Sequence, residues 1–169
     1  MNAKKKTQHL ALAVAVLVLA GCGSESGRLD TSGLPTELQS VLEGDHVIEL
    51  FSLNPEPPDK TTVDKFHGWE VLGQAQLDQE SAAKITTALL DGIANAPNYV
   101  AACFNPRHGL RITGDENSID VVICFECVQV YVYSGETRLA NLRVAQSPLK
   151  SFDAVVNSHG LPKPPPAHP

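Results

Sequence analysis

The sequence has no apolar run long enough to cross a bilayer, little basic charge, and none of the short signatures of a nucleophilic or nucleotide-binding enzyme. A spanning helix needs about 20 apolar residues, and the longest run here is Leu10 to Ala20. There is no Gly-x-Ser-x-Gly elbow, no His-Glu-x-x-His and no Walker loop. The serines lie mainly near the N-terminus and at helix ends, and Asp115-Glu116 sits in a turn where solvation explains it. Basic residues number 13 against 19 acidic ones. Nucleic acids and anionic headgroups demand basic patches, so neither is expected as a partner. Internal repeats are also missing. These absences leave catalysis as the minority reading.

What is present begins with a leader. Lys4, Lys5 and Lys6 precede the apolar run, and Gly21-Cys22-Gly23 ends it. Residues 1–21 read as a signal peptide and stay out of fold reasoning. Leu19-Ala20-Gly21-Cys22 resembles the lipobox of bacterial lipoproteins. That resemblance implies a diacylated Cys22 thiol, with the chain cut just before it. Burying acyl chains is worth about 0.8 kcal/mol per methylene, and more than one chain anchors stably. Gly23, where an Asp would signal retention, favours the outer membrane by analogy with Gram-negative lipoproteins, if the host has two membranes. Losing the three leader lysines leaves 10 basic residues against 19 acidic, a net charge of −9 with His neutral.

The mature chain divides by composition. Residues 22–44 read as the lipidated cysteine and a Ser/Gly-rich tether ending in a short helical turn at Glu37 to Leu42. Residues 45–160 read as one domain, and 161–169 as an extended Pro-rich tail, because proline fixes φ and lacks an N–H. Strands are expected at Val47 to Leu53, before the loop Asn54 to Asp59, and at Phe66 to Leu77. Asp78 caps a helix running to Ala94, with Ala82, Ile85, Leu89 and Ile93 on one face. Strands at Tyr99 to Thr113 and Ile119 to Tyr133 flank a hairpin turn at Gly114 to Asn117, and Thr137 to Ala145 follows. A last helix has Ser147 as cap, Pro148 at its first position and Gly160 past its end. The fold class is α+β, order ββαβββα, an antiparallel sheet with two helices packed on one face.

Beyond Cys22 three cysteines remain, Cys103, Cys124 and Cys127, so one disulfide leaves a thiol over. Along Ile119 to Tyr133 the apolar phase flips between Phe125 and Val128, which a β-bulge near Glu126-Cys127 would produce. The bulge would turn Cys124 and Cys127 to one face, and the hairpin register would bring Cys103 and His108 beside them. Three readings of this cluster follow. A structural disulfide from Cys103 to Cys127, with Cys124 a buried thiol, suits an oxidising compartment and is favoured. Zinc on Cys103, His108, Cys124 and Cys127 is second, since Cys3His is a standard tetrahedral set. A redox-active Cys124/Cys127 pair is third, because reactive pairs usually sit at helix N-termini, and Glu126 would raise a thiol pKa.

The stretch Cys103-Phe-Asn-Pro-Arg-His-Gly109 and the strand Cys124-Phe-Glu-Cys127 resemble an uncharacterised bacterial secreted family with C-F-x-P-R-H-G and C-F-x-C motifs. The resemblance covers Phe66 to Gly160 and implies no activity. Arg107 is a candidate anion-binding group, against the plainer expectation of an ion pair with Glu126. His67-Gly68-Trp69 is a candidate ligand platform, against simple core packing of the indole. The favoured function is a non-catalytic, membrane-anchored module of the cell envelope or periplasm that binds a protein or envelope partner. The alternative is a thiol or zinc protein working through the hairpin cluster.

Overall fold

The structure is a computed structural model describing residues 31–56 and 63–165. The signal peptide, Cys22, part of the Asn54–Asp59 loop and residues 166–169 of the tail lie outside the described residues. The elements are α1 (Thr36–Glu43), β1 (Val47–Leu53), β2 (Lys65–Phe66), β3 (Trp69–Gln76), α2 (Gln79–Ala94), β4 (His108–Thr113), β5 (Ser118–Cys124), β6 (Gln129–Ser134), β7 (Thr137–Arg143) and α3 (Leu149–Ser158). The strands form one sheet in the order β2-β3-β1-β4-β5-β6-β7, and every pairing is antiparallel. The α+β class thus holds, with one helix and two strands more than the order ββαβββα.

Strand alternation sorts the side chains into two faces. Ile48 and Leu50 of β1, Leu110 and Ile112 of β4, Ile119, Val121 and Ile123 of β5, and Val130 and Val132 of β6 are all buried against the helices. The helices answer with Leu38 and Val41 from α1, Ile85, Leu89 and Leu90 from α2, and Phe152, Val155 and Val156 from α3. Each such side chain stabilises the fold by about 1.5–3 kcal/mol through burial. The opposite, helix-free face holds a smaller cluster of Phe51, Leu53, Phe66 and Val122, with Trp69, Val71, Phe104 and Tyr133 packed on it.

Four expectations are corrected. The turn expected at Glu37 to Leu42 is a full helix, and Leu34, Leu38 and Val41 from a stretch read as tether lie in the main core. Phe66 to Leu77 is not one strand. His67 and Gly68 both have positive φ, 50° and 90°, and make the two-residue hairpin turn between β2 and β3, as type I′ turns do. Only His108–Thr113 of Tyr99 to Thr113 is strand; Pro106 offers no N–H to a ladder. Finally, Ile119 to Tyr133 is two strands joined by the turn Phe125 to Val128, with Cys124 opposite Gln129. The phase flip therefore marks a chain reversal rather than a bulge: Ile123 faces Val130 and Val121 faces Val132 across it.

The helix ends follow their chemistry. Asp78 caps α2 by accepting from the Ser81 N–H at 2.8 Å. α3 begins one residue later than expected, with Pro148 at the cap and no side chain capping it. Gly160, φ 65°, follows its end. Beyond it the tail is tied down: Ser52 Oγ donates to Pro162 O, and Arg107 Nε donates to Pro165 O at 2.8 Å.

Candidate functional site

Two clusters stand out, one at the β5–β6 turn and one across the helix-free face. At the turn, Cys124 and Cys127 are joined in a disulfide, with Cα atoms 5.1 Å apart. The expected Cys103–Cys127 pairing is not the one formed, and among the described residues Cys103 is the free, exposed thiol. Its Sγ nevertheless lies 3.5 Å from Cys127 Sγ. The loop before β4 is laced to the turn: Ala101 N–H donates to Cys127 O at 3.1 Å, and Gln129 Nε2 donates to Ala101 O and Cys103 O at 3.0 and 3.1 Å. Asn105 N–H reaches Cys127 Sγ at 3.3 Å, and Cys127 N–H reaches Cys124 Sγ at 3.2 Å. Cys124 and Cys127 are buried.

His108 is not part of this cluster. It stands opposite Ile123, so it shares the helix face rather than the face of Cys124. Its ring is 1% exposed, wedged between Phe125 and Phe152 at centroid distances of 5.7 and 5.4 Å. Nε2 is 3.4 Å from Asp153 Oδ1, and neither ring nitrogen completes a hydrogen bond among the described residues. The His108 contact holds the Asp153 carboxyl below its ordinary value against the opposing effect of burial. A Cys3His zinc set does not fit this arrangement, because one residue of strand register puts the imidazole across the sheet from the sulfurs. Among the described residues, no group of three His, Cys, Asp or Glu side chains is placed to hold a metal.

Arg107 is 7% exposed and pairs with Glu126 through Nη1. With Nε on Pro165 O, its guanidinium anchors the tail to the turn.

The second cluster is a row of residues running from strand to strand. Glu49 stands opposite Arg111, Arg111 opposite Asp120, Asp120 opposite Tyr133, and Tyr133 opposite Arg138. Arg111 grips Asp120 with two hydrogen bonds of 2.8 Å, from Nε to Oδ1 and from Nη2 to Oδ2. His67 Nε2 adds a third to Oδ2, also 2.8 Å. Burial raises the Asp120 carboxyl, and the bonds from His67 and Arg111 outweigh it, so the group stays below its ordinary value. The same pairing pushes the Arg111 guanidinium up. Burial pushes the Tyr133 phenol up, with Arg138 opposing.

Aromatic rings pack around this row. His67 lies flat on Tyr133 at 4.0 Å, Phe66 on Phe51 at 4.2 Å, and Phe104 on Tyr131 at 3.8 Å. Trp69 meets the edge of Phe104 at 6.4 Å, and the Arg138 guanidinium sits 4.8 Å above Tyr131. Gly109 makes room for this packing, since a Cβ there would fall 2.7 Å from Phe66 Cε1. His67 and Trp69 thus pack into one aromatic cluster on this face. Its other members, Arg111, Asp120, Tyr131, Tyr133 and Arg138, went unnoticed in the sequence. The available signal was an Asp inside the apolar run Ile119 to Ile123, at the parity of Val122 rather than of the core residues. An open groove of about 650 Å³ lies elsewhere, between α1, β1 and α2, lined by Leu42, His46, Val47, Leu77 and Thr86 among others.

No protein-family model matches the chain, and no curated protein matches it. Among solved structures it is similar to the "Putative Lipoprotein" of Clostridium perfringens, at 14% identity and a TM-score of 0.45, over 72% of this chain and 91% of that one. A likeness of that depth transfers no ligand, activity or location to this chain.

Proposed function

We propose that the chain is a lipid-anchored lipoprotein of the bacterial cell envelope whose domain is a non-catalytic binding module, meeting its partner with the helix-free face of the sheet. The anchor rests on the leader and on Leu19-Ala20-Gly21-Cys22. No helix among the described residues is long and apolar enough to cross a membrane.

One observation carries the binding reading: half-buried rings of Trp69, Phe104, Tyr131 and Tyr133 lie beside the arginines Arg111 and Arg138 on a face no helix covers. Tyr, Trp and Arg are the residues that dominate interface energetics, because they combine large apolar area with directional polar groups. The Arg111–Asp120–His67 bonds hold the platform in place at both ends of the carboxylate. His67 is held rather than presented, since its Nε2 is on Asp120 and its ring is against Tyr133.

Two substitutions test the parts separately. Cys22→Ser should move the chain from the membrane fraction to the soluble fraction, and an unchanged distribution would sink the lipid anchor. A photo-crosslinking residue at exposed Arg138 should give a discrete adduct in cells, whereas the same residue at exposed Lys84 on α2 should give none. Equal yields at both positions, or none at Arg138, would remove the binding face.

A further inference from the structure

We propose that Cys103, Cys124 and Cys127 form a thiol–disulfide exchange triad, which switches the chain between an exposed and a buried free thiol. In the structure the Cys103 thiol rests 3.5 Å from Cys127 Sγ, within the range of a near-attack contact. Cys127 is therefore the sulfur attacked and Cys124 the leaving group. The exposed Cys103 thiol loses its proton to water. Its thiolate pair forms the Cys103–Cys127 bond, the Cys124–Cys127 bond breaks, and its electron pair leaves on Cys124, which is then protonated from solvent. One disulfide is consumed and one is made, so the step needs no outside oxidant or reductant.

The surroundings suit both partners of the exchange. Cys127 N–H points at Cys124 Sγ from 3.2 Å and would stabilise the leaving thiolate. Asn105 O lies 3.4 Å from the same sulfur and would accept from the thiol once it is protonated. Asn105 N–H, 3.3 Å from Cys127 Sγ, steadies the central sulfur between its two partners. The states differ in accessibility: Cys103 is exposed, whereas Cys124 is fully buried. They also differ in tethering. The Cys124–Cys127 bond closes a sequence separation of 3, and a Cys103–Cys127 bond would close one of 24, pinning the loop of exposed Tyr99 and Val100 to the β5–β6 turn. Exchange would thus convert a reactive surface thiol into a protected one.

The test uses the full chain, exported to an oxidising periplasm, extracted in detergent and incubated from pH 6 to 8.5 without added thiol. Acid quenching, denaturing alkylation and peptide mass mapping then locate the free thiol. The expected result is label shared between Cys103 and Cys124, together with Cys103–Cys127-linked peptides. Its approach to equilibrium should quicken as pH rises, because the thiolate is the nucleophile. The rate should not depend on protein concentration. Cys124→Ser should carry a Cys103–Cys127 disulfide and no free thiol, and Cys103→Ser should hold only Cys124–Cys127. Label confined to Cys103 at every pH, a concentration-dependent rate, or two alkylated thiols in Cys124→Ser would each overturn the triad.

Discussion

Asp120 is a carboxylate in the middle of a strand whose neighbours Ile119, Val121 and Val122 are fully buried. It survives there because three donors satisfy it, two from Arg111 and one from His67. Its folded pKa lies below the ordinary value of 3.8. The charged form therefore adds stability above that value, and the contribution is lost as pH falls through the lower folded value. Unfolding by urea followed from pH 6 to pH 2 should show wild-type stability falling from about pH 4 downward. Asp120→Asn should be weaker by about 2 kcal/mol at neutral pH, the usual worth of hydrogen bonds to a charged group, and should show a flatter acid limb. An unchanged limb would mean that the Arg111–Asp120–His67 bonds contribute nothing to the fold. These residues were hidden in the sequence by distance: His67 lies in the β2–β3 turn, Arg111 within β4 and Asp120 within β5, and only the folded sheet joins them.

Among the elements, α1 and the β2–β3 hairpin separate the two faces most clearly. α1 is short, and a helix of its length is marginal in water without tertiary packing. Leu38, 2% exposed, supplies that packing against the sheet. Leu38→Ala should lower stability by about 2–5 kcal/mol, as deletion of a core leucine does, whereas a mere tether would tolerate it without loss. On the other face, Gly109→Ala would drive a methyl group into the Phe66 ring. A loss of about 1–3 kcal/mol from overpacking is expected, with a shifted Trp69 fluorescence as the β2–β3 hairpin is pushed off β4. Helix α2 was readable because its cap, period and terminus agree over Asp78 to Ala94. The β5–β6 turn was not. Phe125 and Val128 are as apolar as the strands around them, and Val128 occupies the positive-φ position, 61°, where glycine or asparagine would announce a turn.

Across the whole molecule, the C-terminal tail closes what the sheet leaves open. Leu161 packs on the core, Pro162 O accepts from buried Ser52, and Pro165 O accepts from Arg107 beside the disulfide turn. Ending the chain at Gly160 should lower stability by about 2 kcal/mol, since two buried donors lose their acceptors. The same truncation should raise the reactivity of the β5–β6 turn toward reductant, measured by alkylation after brief exposure to dithiothreitol. Equal stability and equal reactivity would show the tail to be an ornament of the fold. This arrangement links both ends of the domain to one sheet, with the proposed anchor preceding α1 and the tail following α3.

Local chemistry alone determined the α2 helix, the hairpin at Gly114 to Asn117 and the α+β class, because each rests on residues adjacent in the chain or on a period within one element. Cys103 comes near Cys127 by a route other than the expected hairpin register: the β4–β5 ladder ends at His108 and Ile123, and the loop before β4 is hydrogen-bonded to the β5–β6 turn. Tertiary structure decided the rest. Which sulfur pairs with Cys127 follows from the chain reversal at Phe125 to Val128, and which face receives His108 depends on a one-residue choice of register. In a β-strand such a choice moves a side chain to the other side of the sheet, and only the packing of the two faces settles it.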